Sequence, residues 1–409
     1  ATTEIYTLSL HDALPICTVP GPLDGIRIID TTAMFSGPLA TMILGDQGAD
    51  VIKIEIPGGL GDTMRASGIT RGGIAATFHA VNRNKRSIVL NLRDARGVAL
   101  LERLVASADV FVENYRPGVT ERLGIDEPRL RAHNRSLVYV SLTAWGESGP
   151  LAQRPAFDSI VQAMAGYAAS QAGEDGRPEL VHNSVVDKVT GLVASQAITA
   201  ALLARERGAG GQHVHLNMLD TGVAFLWIDV MQHRTFVGDE RASKNRWLRL
   251  LRTRDGYVMI SLVQDAMFRA AALALGDEAF ARDPRFEHAR ERMQHLAELC
   301  DELEARTLAF GTAELCARLG GADVPHAPVT ALEEVEALDQ VRWNETLLVS
   351  EHPASGPVRH ARPIARFDTT PASVRRLAPG LGEHTDEVLR EIGVGAGEIA
   401  ALRADAVVA

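Results

Sequence analysis

The chain reads as an α/β protein built on a parallel sheet. Three observations predict this. Short apolar runs of strand length recur through the first half, helical stretches alternate with them, and glycine or proline marks the joints. Residues 26–30 form a buried-strand pattern after the Gly25 turn, and residues 49–55 form a second. Between them, residues 39–44 carry a helical apolar period. Pro38 suits the first turn of that helix, where a missing N–H costs nothing, and Gly45 and Gly48 end it. This is a βαβ unit, whose ligand site lies at the carboxyl edge of its strands. The rhythm continues with a helix over 94–106 and strands at 110–113 and 137–142. A long helix follows over 188–206, closed by Gly208 to Gly211, and then a strand at 213–217. From about 225 the texture changes. Residues 233–255 are rich in Arg, 256–261 read as a lone strand, and 264–320 are mainly helical. The tail has short strands and loops, then helices at 385–392 and 396–403. The expected domains are a large one from 19–224 with 331–409, and a smaller inserted α+β one at 225–330.

Bulk properties narrow the function. A hydrophobic fraction of 46% and a charged fraction of 23% are ordinary globular values. The net charge of -10 speaks against a nucleic-acid partner, which needs a basic face. It leaves room for an anionic ligand in a local basic pocket. Cys17, Cys300 and Cys316 show no metal spacing and read as reduced thiols of a cytoplasmic protein. No run reads as a membrane span, so no membrane partner is expected. Residues 1–16 match, residue for residue, the translation of a short-read sequencing adapter. Residues 1–18 are therefore expected to be an artefactual leader, with the protein proper starting near Val19.

Two sites suggested by residue pattern are weak. Glu55 ends the second strand where a ribose-binding acid would stand, but the first turn, Thr31 to Gly37, lacks the glycines of G-x-G-x-x-G. His213 and His215 alternate on a strand, yet no third ligand is near in sequence. Packing or surface roles are expected for them, and no metal.

Six stretches resemble, in order, those of the family III CoA-transferases, the CaiB/BaiF family. They are Leu23-Asp-Gly-Ile26 with Asp30 and Ser36-Gly-Pro38; Gly48 to Glu55 with Gly61-Asp62 and Arg65; Asn82 to Ser87; Asp109 to Gly118 with Leu123-Gly124; Asp187 to Gly191; and Gly382 to Asp386. The resemblance runs from about Gly21 to Val408. It implies a Rossmann-like large domain, an interlocked homodimer, and acyl-CoA and carboxylic acid substrates. No metal or redox cofactor is implied, because CoA enters as part of the substrate.

The family's nucleophile falls on Asp187. A carboxylate can attack a thioester and divide one hard exchange into easier steps. Read without the resemblance, an Asp just ahead of a helix is more readily a plain N-cap, since Asp is a common cap; Gly191 would permit close approach of substrate or a neighbouring strand. CoA phosphates ask for cations. Arg83, Lys85 and Arg86 form one candidate cluster, Arg116 and Arg122 another, each with a solvated basic face as the alternative. The resemblance implies that Leu90 to Arg93, Asn114, Tyr115, Arg116 and Arg122 line the CoA groove, with Arg65 among the binding candidates. Ala144, Trp145 and Gly146 would lie near the thioester, with a core position the equal alternative for Trp145.

The chain also departs from its relatives. Phe35 stands where the formyl-CoA transferase branch has a catalytic Gln, Ile56 replaces an Arg, and residues 243–255 lack that branch's glycine run. Oxalate and formate are therefore not expected, and Phe35 points to a larger or less polar acyl group. The family's α-methylacyl-CoA racemases use a His where this chain has Phe157, which cannot move a proton. Asp158 is expected to cap the helix over 159–165. A non-catalytic CoA-binding protein is the remaining alternative, and nothing in the sequence supports it.

Overall fold

A computed structural model of the chain describes residues 19–173, 175–238 and 249–409. The expected leader, and part of the segment compared with the glycine run, lie outside the described residues. The chain divides into two compact units, one running to Gln232 and resuming at Glu345–Ala409, the other His233–Asn344. The boundaries thus fall at 233 and 344, where 225 and 330 were expected.

The larger unit is organised by six parallel strands: β1 (Arg27–Asp30), β2 (Asp50–Glu55), β3 (Lys85–Val89), β4 (Val110–Glu113), β5 (Val138–Thr143) and β6 (His213–Asn217). Their spatial order is 3-2-1-4-5-6, the doubly wound Rossmann order. Alternate residues of each strand serve opposite faces. Ile29, Ile52, Phe111 and Tyr139 pack on one face with Val98, Leu101 and Leu104 of helix Ala95–Val105. Ile28, Val51, Val110 and Val138 pack on the other with Ala40, Leu44, Ala194 and Ile198. Strands buried on both faces read as apolar runs, which locates β1, β2, β4 and β5 in the sequence; β3 opens with Lys85-Arg-Ser and shows no such run, and β6 is only partly buried.

The helices that matter for the site are α1 (Ser36–Asp46), α2 (Ala95–Val105), α3 (Asp158–Ala165), α4 (Val185–Ala204) and α5 (Met218–Trp227). Asp94 caps α2, accepting a hydrogen bond from Arg96 N. The stretch Val185–Ala209 is long and apolar enough to cross a membrane by length and composition, contrary to the sequence expectation. Its packing accounts for part of that apolarity. Gly191, Ala194 and Ile198 are buried, Gly191 against α1 and the other two in the core beneath the sheet. The tail returns to the sheet: Leu90 bridges Val408, and Val388, Leu389 and Leu402 complete the core around α2.

In the smaller unit, the strand read as lone is central. Tyr257–Ile260 pairs antiparallel with Leu251–Arg252 on one side and His326–Pro328 on the other. Phe268, Phe280, Phe286, Leu299 and Leu315 fill the core against it.

Candidate active site

Strand order reverses between β1 and β4, so the loops leaving their carboxyl ends part and open a crevice. Asn114 pins the two loops together. Its Oδ1 accepts from Ala33 N at 3.0 Å and its Nδ2 donates to Ala33 O at 2.8 Å. A cavity of about 220 Å³ opens there. Met34, Phe35 and Ser36 line it from the first loop, Asn114 to Pro117 from the second, Thr143 and Ala144 from the end of β5, and Asp187 and Thr190 from α4.

The first loop is fixed by buried charge in place of glycine. Asp30, fully buried, accepts from Thr32 N at 2.9 Å, from the Thr32 and Thr41 hydroxyls, and from Lys85 Nζ at 2.9 Å. Burial raises its carboxyl, but Lys85, Lys53 and the two threonines outweigh that and hold it well below the usual range. Lys53 Nζ donates to Thr32 O at 2.8 Å and lies 2.9 Å from Asp62 Oδ2. These bonds set the path that carries Phe35 and Ser36 to the cavity.

Asp187 lies inside the first turn of α4, the third residue of a helix that starts at Val185, and is not the N-cap expected from sequence; Ser184 holds that position. Its backbone N donates to Asp158 Oδ1 at 2.9 Å, and Ser36 Oγ donates to its Oδ1. Gly191 allows this closeness. A Cβ there would stand 2.8 Å from Ser36 O and 3.2 Å from Leu39 Cβ. The close approach is thus between α1 and α4, and not of substrate or strand. Burial drives the Asp187 carboxyl up to about 6; the Ser36 bond opposes this and the nearby Asp158 charge adds to it. A helix N-terminus ordinarily favours an anion, so here desolvation wins.

Three residues have roles here that the sequence did not show. Asp158, expected to cap α3, is its first residue, with Phe157 at the cap; it joins α3 to α4 by accepting from Asp187 N, and its other oxygen accepts from Gln162 Nε2. Ser36 was noted only as part of a motif. Thr190 lines the cavity one turn beyond Asp187, and its buried hydroxyl has no partner among the described residues. Only the contact across 29 or 151 positions gives Asp158 and Ser36 their meaning.

The basic candidates separate into two groups. Lys85 is fully enclosed, with its three donors spent on Asp30 Oδ2, Pro38 O and Asn82 Oδ1, each at 2.9 Å. Arg86 is buried among Asp50, Glu387 and Glu391. Arg83 pairs with Asp46. Arg65 grips both oxygens of Glu55, at 2.8 and 2.6 Å, and lies over the Phe78 ring. Leu90 is a core residue. These five side chains hold the fold where CoA contacts were expected: a cation whose donors are saturated inside the core has none left for phosphate, and the Leu90 side chain is enclosed among apolar neighbours. Arg93, Arg116 and Arg122 are exposed and have no ion pair among the described residues. Tyr115 packs against the core, its hydroxyl pushed up to about 12 by burial. Trp145 donates its indole N–H to Arg154 O at 3.1 Å, and Gly146 adopts a φ of 101°, where a side chain would be strained.

Comparison with known proteins agrees with this geometry. The model of CoA-transferase family III matches residues 23–385. The chain is 34% identical to mouse succinyl-CoA:glutarate CoA-transferase, over 92% of this chain and 87% of that protein. It is 33% identical to succinate–glutarate CoA-transferase of Agrobacterium fabrum, over 91% and 96%. The crystal structure of a CAIB/BAIF family protein from Brucella suis superposes with a TM-score of 0.80 at 32% identity, covering 91% of this chain and all of that one. Sequence, fold and near end-to-end relatives converge: the chain belongs to CoA-transferase family III, the CaiB/BaiF family, and is an acyl-CoA:carboxylate CoA-transferase.

Proposed function

We propose that Asp187 is the nucleophile of a CoA transfer between the CoA ester of a short dicarboxylic acid and a free carboxylate. One observation carries this reading. Asp187 is the carboxylate brought to the cavity at the switch point, held by Ser36 and made costly to ionise by burial. Its Oδ attacks the thioester carbonyl, the C–S bond breaks, and CoA leaves as thiolate from a mixed anhydride. The thiolate attacks the aspartyl carbonyl, releasing the first acid and leaving an aspartyl-CoA thioester. The acceptor carboxylate attacks that thioester, and the returning thiolate takes the acceptor's acyl group and restores Asp187. Every step is acyl transfer between oxygen and sulfur, so no metal or redox group is required.

The cavity and the relatives support a short dicarboxylic acyl group. The mouse and Agrobacterium proteins are named for succinyl and glutarate groups. Exposed Arg116 and Arg154 border the cavity and suit a second carboxylate, while Phe35 and Phe157 cover the methylenes between. Arg93 and Arg122 suit the CoA phosphates. Phe157 leaves the cavity lining without an imidazole for α-proton transfer. Exposed Ile160, Met164, Leu192, Leu203, Phe225 and Trp227 on α3, α4 and α5 suit burial against a second copy, as in a homodimer. The thiols Cys300 and Cys316 are free, in keeping with a cytoplasmic setting.

The test is intact mass after incubation with succinyl-, glutaryl- and longer acyl-CoA esters. A hydroxylamine-sensitive CoA adduct is expected on the parent and not on Asp187→Ala. An adduct that survives in the variant would remove Asp187 from the mechanism.

A further inference from the structure

At the edge of the sheet, three side chains that the transfer does not use converge. His213 and His215 stand two apart on β6, so both rings project from one face. Their centroids are 3.7 Å apart. Glu147, on the loop after β5, brings Oε1 to 2.8 Å from His215 Nδ1 and 3.7 Å from His213 Nε2. The three donor atoms all lie within 4.8 Å of one another. This supplies the third ligand that proximity in sequence did not show.

We propose that Glu147, His213 and His215 form a binding site for a zinc-class divalent ion, separate from Asp187, that braces one wall of the cavity. Two imidazoles and a carboxylate are a borderline donor set, suited to zinc and its late first-row neighbours and not to magnesium or calcium. In a tetrahedral site with bonds of about 2.1 Å, donors stand roughly 3.4 Å apart. The observed 2.8 and 3.7 Å bracket that spacing. Both rings coordinate in the neutral form. His215 moves its proton to Nε2, and its exposed ring leaves that nitrogen to water. His213 Nε2 gives up its 2.9 Å contact with Ser141 Oγ, which keeps its bond to the Glu113 carboxyl. Water takes the fourth position.

The location gives the ion a consequence. Ala144, three residues before Glu147, lines the cavity, and β6 runs directly into Met218, which also lines it. An ion held by all three ligands clamps this loop to the edge strand.

The experiment uses the full chain stripped with chelator, then titrated with zinc or cobalt(II). One equivalent per chain is expected, with the intense visible bands of tetrahedral cobalt and a higher melting temperature. His215→Ala and Glu147→Ala are expected to weaken binding more than about tenfold. Both positions are exposed, so the variants fold, and His215→Ala keeps the Asp187 adduct. His133→Ala serves as a control with unchanged binding. Substoichiometric uptake, the weak spectrum of octahedral aqua-cobalt, or equal binding by parent and His215→Ala would overturn the proposal.

Discussion

Neutralising Asp187 separates the cost of its charge from its chemistry. The carboxyl rises from 3.8 to about 6, chiefly through burial. Two pH units at about 1.36 kcal/mol each correspond to ~3 kcal/mol, and partial exposure to solvent brings the stability cost to ~1–3 kcal/mol. Because the folded value is raised, the protonated form stabilises the fold. That contribution is complete below the unfolded value and is lost as pH rises through about 6. Asp187→Asn keeps an acceptor for Ser36 and removes the charge. At pH 8 the variant should therefore melt higher by about 2–6 °C, while CoA transfer falls more than about a thousandfold. At pH 5 the advantage should shrink to about half, and below pH 4 it should vanish. Thermal melts of both proteins across this range, with acyl transfer measured in parallel, read all three effects. A variant less stable than the parent at pH 8, or an advantage that does not change with pH, would refute the claim that burial strains the carboxylate.

Other perturbations probe the surroundings. In the parent, kcat/KM should fall on the acid side near pH 6, as Asp187 takes up its proton; in Asp158→Asn that limb should move to lower pH, because a like charge beside Asp187 is gone, and an unmoved limb would count against the coupling. Lys85→Met leaves Asp30 buried without its ammonium and should cost ~3–5 kcal/mol in urea melts, whereas a higher KM for acyl-CoA at unchanged stability would restore Lys85 to the CoA site. Gly191→Ala forces a Cβ against Ser36 O, so α1 and α4 must spread; a loss of ~1–3 kcal/mol together with slower adduct formation is expected, and a neutral result in both would contradict the packing.

Most of the sheet was legible because strands such as β1 are buried on both faces, and residues such as Ile28 and Ile29 must both be apolar; β3, which begins Lys85-Arg-Ser, was not. The start of α4 was not: Val185 and Val186 carry no helical period, so Asp187 looked like a cap when it is the third residue of the helix. The charges misled most. Sequence shows that Lys85 and Arg86 are cations but not that Asp30, Asp50 and Glu391 wait for them from 36 to 305 positions away. A basic cluster in sequence is equally a phosphate site or half of a buried ion network, and only the fold decides. The strand at 257–260 looked lone for a related reason: its partners are two and three residues long, too short to produce a pattern.

The two aspartates near the cavity show how one unit makes opposite acids. Asp30 is the more deeply buried, yet Lys85, Lys53 and two hydroxyls hold its charge, and it never approaches protonation near neutral pH. Asp187 is less buried but has, among the described residues, one hydroxyl, no cation, and Asp158 as its charged neighbour. Environment, not residue type, sets their roles. On the proposed route this difference bears directly on catalysis. Both the anhydride and the aspartyl-CoA thioester are neutral at the side chain, so each covalent step relieves the free carboxylate's desolvation. A cation supplied to Asp187 would remove that advantage and leave a well-ordered, less reactive acid like Asp30. On that proposed route, the absence of a cationic partner at Asp187 among the described residues would be part of what makes it a competent nucleophile.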